Sequence, residues 1–240
     1  MKKIFITGTD TGVGKTHVTE KLLKKYQALG YRVLGLKPIA SGCFKNHHGE
    51  LKNDDALKLQ AASSIQLPYA MINPWAFEPA IAPHIAAELI GAPLTKKTIL
   101  LELNNLFNFL ENSIQPPLDF VFIEGAGGWH LPLNYSELMS EVITELKIPV
   151  VLVIAMKLGC LNHGLLTYQA IQNSGAEFLG WIPNHWGEEM PYLNQNIETL
   201  ESLLGSSGSV VQVESSTRDE HEVRPTIILG NGNPKLKFLK

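Results

Sequence analysis

The sequence predicts a single-domain α/β fold: a doubly wound, mostly parallel sheet with helices on both faces. Three observations predict it. Short apolar runs recur along the chain with helical periodicities between them. The runs are near-continuous rather than alternating, so both faces of each strand are covered, as in a parallel sheet. Strand and helix alternate from the first residues onward, which is the signature of layered α/β architecture.

The elements follow in order. Lys3–Thr7, built on Ile4-Phe5-Ile6, is the first strand. Residues 8–16 then read Gly-Thr-Asp-Thr-Gly-Val-Gly-Lys-Thr and run into a helical pattern over Lys15–Leu29, which Gly30 stops as a C-cap. The second strand is Arg32–Lys37. Pro38 keeps Lys37 extended and denies the next segment a helix. Asn53, Asp54 and Asp55 open a helix over Asp54–Ala62, since Asn and Asp are favoured caps and acids suit a first turn. Residues Gln66–Pro93 hold five prolines and read as an ordered loop excursion with one short helix near Ile85–Ile90. Beyond it lie a helix over Thr98–Asn112, a strand over Phe120–Glu124, a helix over Glu137–Leu146 and a strand over Val150–Ala155. A helix over Leu161–Asn173 ends at Gly175 and precedes a strand at Phe178–Ile182. The last helix spans Glu188–Leu204. Gly205–Ser216 reads as turns around a short strand, Val210–Val213.

Length and composition suit one domain over 1–240, because 45% hydrophobic and 18% charged residues are ordinary for a folded globule. A formal net charge of −3 gives no broad basic face for nucleic acid. Lys21, Lys24 and Lys25 read as a solvated helix face. The longest apolar stretch, Ile148–Met156, is far short of the roughly 20 residues that span a bilayer, so no membrane partner is expected. Met1-Lys2-Lys3 enters a strand at once, which leaves no room for a signal peptide. Cys43 and Cys160 form no C-x-x-C pair and carry no nucleophile signature. They read as small buried residues in a reducing cytoplasm.

The turn at 8–16 solves one chemical problem, that of holding a polyphosphate. Glycines let the backbone turn its N–H groups inward, and the following helix points its positive end at the anion. Lys15 adds a full charge and the Thr16 hydroxyl can ligate Mg²⁺. The loop is a variant, with Thr9 where the strict pattern has glycine. It marks the fold as P-loop nucleotide-hydrolase-like. In such sheets ligands collect at the carboxyl ends of the strands. Lys37 stands at one such end. A lysine there is commonly just solvated, but beside a phosphate loop it supplies the second cation that phosphoryl chemistry needs. Glu124 stands at another, before Gly125-Ala126-Gly127-Gly128-Trp129, and suits a metal partner for Thr16. Of Asp54 and Asp55, one is a helix-start acid and the other a candidate second metal carboxylate. His47-His48 lies in a polar loop and reads as solvated, and His163 as structural.

Several motifs occur in order: Gly8–Thr16, Lys37-Pro38-Ile39-Ala40-Ser41-Gly42, Asp55-Ala56-Leu57, Glu124–Trp129, Lys157-Leu158-Gly159-Cys160-Leu161-Asn162-His163 and Gly180-Trp181-Ile182-Pro183-Asn184. Together, over roughly residues 3–185, they resemble the dethiobiotin synthetases, ATP- and Mg²⁺-dependent enzymes of biotin synthesis. The resemblance implies the substrates 7,8-diaminononanoate (diaminopelargonate), CO₂ and ATP. One amine takes up CO₂ as a carbamate, which attacks the γ-phosphorus to give a carbamic–phosphoric anhydride. The second amine then closes the cyclic urea and expels phosphate.

Carried residue by residue, the resemblance makes Lys37 and Lys15 the catalytic cations. Thr16, Asp55 and Glu124 become the Mg²⁺ positions, a match that selects Asp55 over Asp54. Ser41 and Thr11 meet the carbamate end of the substrate. Gly12, Val13, Gly14, Lys15, Thr16, Asp55, Glu124, Gly125, Ala126, Gly127 and Asn184 surround the nucleotide, with Asn184 at the adenine. Gly159, Cys160, Leu161 and Asn162 begin a helix that reaches the substrate carboxylate from the partner subunit of a homodimer. For Asn162 the simpler reading is an N-cap. The stretch Leu204-Gly205-Ser206-Ser207-Gly208 lacks the proline such enzymes carry there, so no nucleotide contact is assigned beyond Asn184. An ATP-driven switch of the partitioning and septum-placement type shares this kind of loop and fold. It would carry lysine at position 10, where this chain has Asp10, and would lack the Lys-Pro-x-Ala-Ser-Gly turn. An amide synthetase of the cobyrinate type would need an attached glutaminase domain, for which 240 residues leave no room.

Overall fold

The computed structural model describes residues 1–185 and 190–204, together with two short strands at 210–211 and 227–228. In chain order the elements begin β1 (Lys2–Gly8), α1 (Lys15–Ala28), β2 (Val33–Leu36), β3 (Ile39–Ser41), β4 (Phe44–Lys45), β5 (Leu51–Lys52), α2 (Asp54–Ala61), α3 (Tyr69–Ile72), β6 (Trp75–Phe77) and α4 (Pro83–Leu89). They continue α5 (Lys96–Ser113), β7 (Phe120–Glu124), α6 (Met139–Glu145), β8 (Val150–Ala155), α7 (Cys160–Asn173), β9 (Phe178–Asn184), α8 (Leu193–Leu204), β10 (Val210–Val211) and β11 (Ile227–Ile228).

Five strands form the central sheet in the order β2-β7-β1-β8-β9. Every neighbouring pair is parallel. Period-two alternation sends successive side chains to opposite faces, and both faces are apolar. Phe5, Leu34, Val121 and Ile123 face one core, which α5, α6, α7 and α8 cover with residues such as Leu103, Val142, Ile171 and Leu200. Ile4, Ile6, Val33, Phe120 and Phe122 face the other, under Val18, Leu22, Leu23 and Tyr26 of α1 and Leu59 of α2. Each such side chain contributes about 1.5–3 kcal/mol when fully buried. The fold is the doubly wound α/β sandwich that the strand pattern predicts.

The topology positions the site. The chain leaves β1 for the β2 edge, returns through β7, then crosses to β8 and β9. The direction therefore reverses around β1 and β7, whose carboxyl ends lie side by side with Ile6 opposite Glu124. Ligands of open α/β sheets collect at such a reversal.

Most differences from the sequence reading lie at element ends. Strand β2 stops at Leu36, so Lys37 sits just beyond it. Helix α5 begins at Lys96, because Thr95 Oγ1 accepts the Thr98 N–H at 3.1 Å. Helix α7 starts after Gly159, whose φ of +92° makes it the cap, so Asn162 lies inside the helix and is not its N-cap. Strand β9 runs through Pro183 to Asn184. It is the sheet's edge strand, where a missing N–H is tolerated. Helix α8 begins at Leu193. The first predicted residues of that helix, 188–189, and most of the predicted turn segment 205–216 lie outside the described residues. The proline-rich excursion holds α3, β6 and α4, and β6 pairs in parallel with β3. His47 and His48 sit at the exposed tip joining β4 to β5.

Candidate active site

A cavity of about 740 Å³ opens at the carboxyl ends of β1 and β7. Thr11, Gly12, Gly14, Lys15, Thr16, Lys37, Ser41, Asp55, Glu124, Ala126 and Gly127, all singled out in the sequence, line it.

The loop after β1 is shaped by glycine at a point where nothing else fits. Gly14 has a φ of +86° and forms the N-cap of α1. A Cβ there would come within 2.0 Å of Asn184 Nδ2. Asn184, at the end of β9 and 1% exposed, donates from that nitrogen to the Val13 carbonyl at 2.8 Å. Its Oδ1 is buried without a hydrogen-bond partner. Val13, Gly125 and Asn184 do not line this cavity, and Asn184 holds the loop through Val13.

Two ammonium groups enter from different elements. Lys15 Nζ donates to the Asp10 carbonyl at 2.9 Å and to the Gly127 carbonyl at 2.6 Å. Burial, then the nearby charge of Lys37, lower its pKa to about 8. Lys37, buried past the end of β2, hydrogen-bonds Glu124 Oε1 and lies 3.6 Å from Asp55 Oδ2. Thr16 Oγ1 donates to the same Glu124 oxygen at 2.8 Å.

The oxygens left over are informative. Glu124 is 1% exposed, yet its Oε2 has no hydrogen-bond partner. Ser41 Oγ, at the β3 end of the cavity, is also buried and unpartnered. Asn53 settles the helix-start question. Its Oδ1 accepts the N–H groups of Asp55 at 3.1 Å and Ala56 at 3.2 Å, so it is the cap, and Asp55 rather than Asp54 lines the cavity.

Among the described residues, no cluster of three His, Cys, Asp or Glu could cage a metal alone. Thr16, Asp55 and Glu124 nevertheless offer hard oxygen donors from three elements, one of them an orphaned carboxylate oxygen. That set suits Mg²⁺, which takes one or two carboxylates and completes its shell with phosphate and water.

The turn at Gly159 to Asn162 lies elsewhere. Gly159, Cys160, Leu161 and Asn162 do not line the cavity of their own chain. Gly159 and Asn162 are exposed, as is Leu158 at 98%. Cys160 and Cys43 are free and buried, and burial raises both thiols. The sequence reading missed His17, Glu20 and Lys58, which line the cavity beside Thr16, and the Ala80-Ile81-Ala82-Pro83 strip opposite. Spacing is the one weak signal they carry, His17 and Glu20 lying one and four residues past Thr16 and Lys58 three past Asp55, and it does not set them apart from other polar residues on a helix surface.

A family described as an AAA domain matches residues 2–217. The ATP-dependent dethiobiotin synthetase BioD of Aeromonas salmonicida is 45% identical over 204 residues, covering 85% of this chain and 87% of that protein. BioD 1 of Escherichia coli K12 is 42% identical over 183 residues, covering 76% and 77%. Among solved structures, the septum site-determining protein MinD of Pyrococcus horikoshii, complexed with Mg-ADP, matches with a TM-score of 0.53 at 17% identity, over 89% of this chain and 82% of that one. A likeness at that identity bears on the fold alone.

Proposed function

This chain belongs to the ATP-dependent dethiobiotin synthetases, the ligases of biotin synthesis, and we propose that the cavity at the ends of β1 and β7 is where it joins the diamine to CO₂. ATP is the co-substrate and Mg²⁺ its metal. The observation that carries the site assignment is Lys37, a buried ammonium set between Glu124 and Asp55 on the wall that Lys15 and Thr16 also form.

The chemistry follows from charge. A carbamate attacking a triphosphate brings anion to anion, so rate depends on placed cations and on alignment. The amides of Gly12, Val13 and Gly14 and the start of α1 hold the phosphates. Lys15 and Lys37 offset the charge that spreads over the transferring group. Thr16, Asp55 and Glu124 would hold Mg²⁺, which neutralises triphosphate charge when bound. Ser41 Oγ, buried and unpartnered, is suited to receive a hydrogen bond from or donate one to the carbamate end, which Thr11 would also meet. The carbamate oxygen forms a bond to the γ-phosphorus as ADP leaves. The free amine then attacks the carbamoyl carbon, expels phosphate and closes the five-membered urea.

Asn184 Oδ1 remains free to accept from the exocyclic amine of adenine while its Nδ2 stays on Val13. Gly125, Ala126 and Gly127 bring backbone close to the nucleotide beside Glu124. Gly159–Asn162 would serve the cavity of a second copy, capturing the substrate carboxylate at the start of α7. The exposure of Gly159 and Asn162, and the absence of all four residues from the cavity wall, support that reading of a homodimer. We read 1–240 as one catalytic domain, supported by the family match over most of its length. A cytoplasmic location suits two free thiols, and no described helix is long and apolar enough to cross a membrane.

The test is incorporation of labelled CO₂ into a cyclic urea by the purified protein. Turnover that requires diaminopelargonate, ATP and Mg²⁺ together supports the reading. ATP hydrolysis indifferent to the diamine and bicarbonate would overturn it.

A further inference from the structure

Lys37 and Asp55 belong to separate elements, and between them lies a continuous chain of buried and part-buried hydrogen bonds whose first two side chains, Asn73 and Tyr69, do not line the cavity. Asn73, 3% exposed, donates from Nδ2 to the Lys37 carbonyl at 2.7 Å and to the Pro38 carbonyl at 3.3 Å. Its Oδ1 accepts the Tyr69 hydroxyl at 2.9 Å. The same Tyr69 oxygen accepts the backbone N–H of Asn53 at 2.7 Å. Asn53 is the cap of α2 and holds the Asp55 N–H on its own side chain.

We propose that Asn73 and Tyr69 are positioning residues, a relay that fixes the strand-end lysine Lys37 relative to the helix-borne carboxylate Asp55. The inference rests on the site assignment above and extends it to residues outside the cavity.

Two features favour positioning over simple closure of the turn. Closure is already provided by backbone bonds, Lys37 N to Ile72 O and Trp75 N to Pro38 O, each 3.0 Å. A buried polar side chain adds a desolvation cost that an apolar one would not, and it is retained here with donor and acceptor both used. The tyrosine ring is itself held, with Lys52 Nζ 4.0 Å from its centroid. Burial pushes its hydroxyl up to about 12, so it keeps the proton it gives to Asn73. The geometry matters because Lys37 must stand near both Glu124 and Asp55, and a displacement near 1 Å can cost about a hundredfold in rate.

The test uses Tyr69→Phe and Asn73→Asp in the full chain. Asn73→Asp keeps an acceptor for Tyr69 but removes the donor to Lys37. Each is expected to lower kcat by about tenfold. Metal-free ADP should bind within about twofold of wild type, because the phosphate loop is untouched. In an Asp55→Asn background, Tyr69→Phe should cost less than about twofold more, since residues acting as a unit are non-additive. Unchanged kcat in both variants, additive losses, or a parallel fall in ADP affinity would overturn the relay. Failure of both variants to fold would also overturn it, because the pair would then be structural. Wild-type turnover is measured alongside, so an inactive wild type is failure of the site assignment and an active wild type with active variants is failure of the relay alone.

Discussion

The Thr16 hydroxyl donates to Glu124 Oε1 at 2.8 Å, joining the start of α1 to the end of β7 across 108 positions of chain. Lys37 takes the same oxygen, so one side of the carboxylate is saturated while Oε2 stays buried and unpartnered. A carboxylate so divided has one face given to the protein and one left for a ligand.

Glu124→Gln tests that division. The amide keeps one acceptor and turns an NH₂ group toward either Lys37 or the vacant side. The half-saturating Mg²⁺ concentration for turnover is expected to rise at least about tenfold, as hard cations prefer charged oxygen. Leaving Lys37 without its buried partner should also cost about 1–3 kcal/mol of stability. A metal titration of turnover and a thermal melt read both effects. A titration superimposable on wild type would contradict the role.

Lys37→Ala separates chemistry from binding. Lys15 and the amides of the loop still grip the polyphosphate, so ATP affinity should stay within about threefold, while kcat falls by more than about tenfold for lack of a cation at the developing charge. Equilibrium binding beside steady-state turnover shows whether the two separate. Near-normal turnover would remove Lys37 from the catalytic group.

These residues were legible for a physical reason. Lys37 and Glu124 stand at the ends of apolar runs buried on both faces, Lys15 and Thr16 follow another such run through a glycine loop, and in a parallel sheet those ends converge. The five strands of the sheet were readable on the same ground. In the segment from Gln66 to Pro93 the short helix near Ile85–Ile90 was readable and is α4, but α3 and β6 were not, because they are four and three residues long and β6 finds its partner β3 only through a non-local pairing of Ile39 with Trp75. No periodicity marks such short pieces. His17 and Lys58 look from the sequence like any polar residue on a helix surface, and only the approach of α2 to α1 brings them to the cavity. The bond from Asn184 to Val13 was hidden likewise, since it depends on where β9 ends against the loop.

Gly14→Ala strikes that contact. The new methyl carbon would fall 2.0 Å from Asn184 Nδ2, at a φ of +86° that L-residues rarely adopt. Either the loop shifts or Asn184 leaves Val13. Both outcomes predict at least about a tenfold loss of ADP affinity, since 1.4 kcal/mol suffices for that and backbone strain alone costs about 1–3 kcal/mol. The methyl group of Gly12→Ala would meet nothing within 4 Å, so its effect should be the smaller one, limited to its φ of +74°. Isothermal titration of the two variants side by side checks the order. Equal affinities for both would show that Asn184 does not clamp the loop.

The lowered pKa of Lys15 makes nucleotide binding a proton-linked event. Without nucleotide the group titrates at about 8 rather than near its ordinary value, because it is buried and Lys37 stands close. The unfolded chain holds this proton more tightly than the folded one. The associated penalty is therefore fully present below pH 8, where both states are charged, and is relieved as pH rises toward the unfolded pKa. A polyphosphate against Lys15 favours the ammonium form and drives its pKa back up. Binding at pH 8.5 should accordingly draw in about 0.8 proton per site, and at pH 7 only about 0.1, from the fraction uncharged before binding at a pKa of about 8. Calorimetric titration with ADP in two buffers of different ionisation enthalpy measures the uptake at each pH. An uptake that does not grow between pH 7 and 8.5 would mean that burial and the charge of Lys37 do not lower the Lys15 pKa before nucleotide binds.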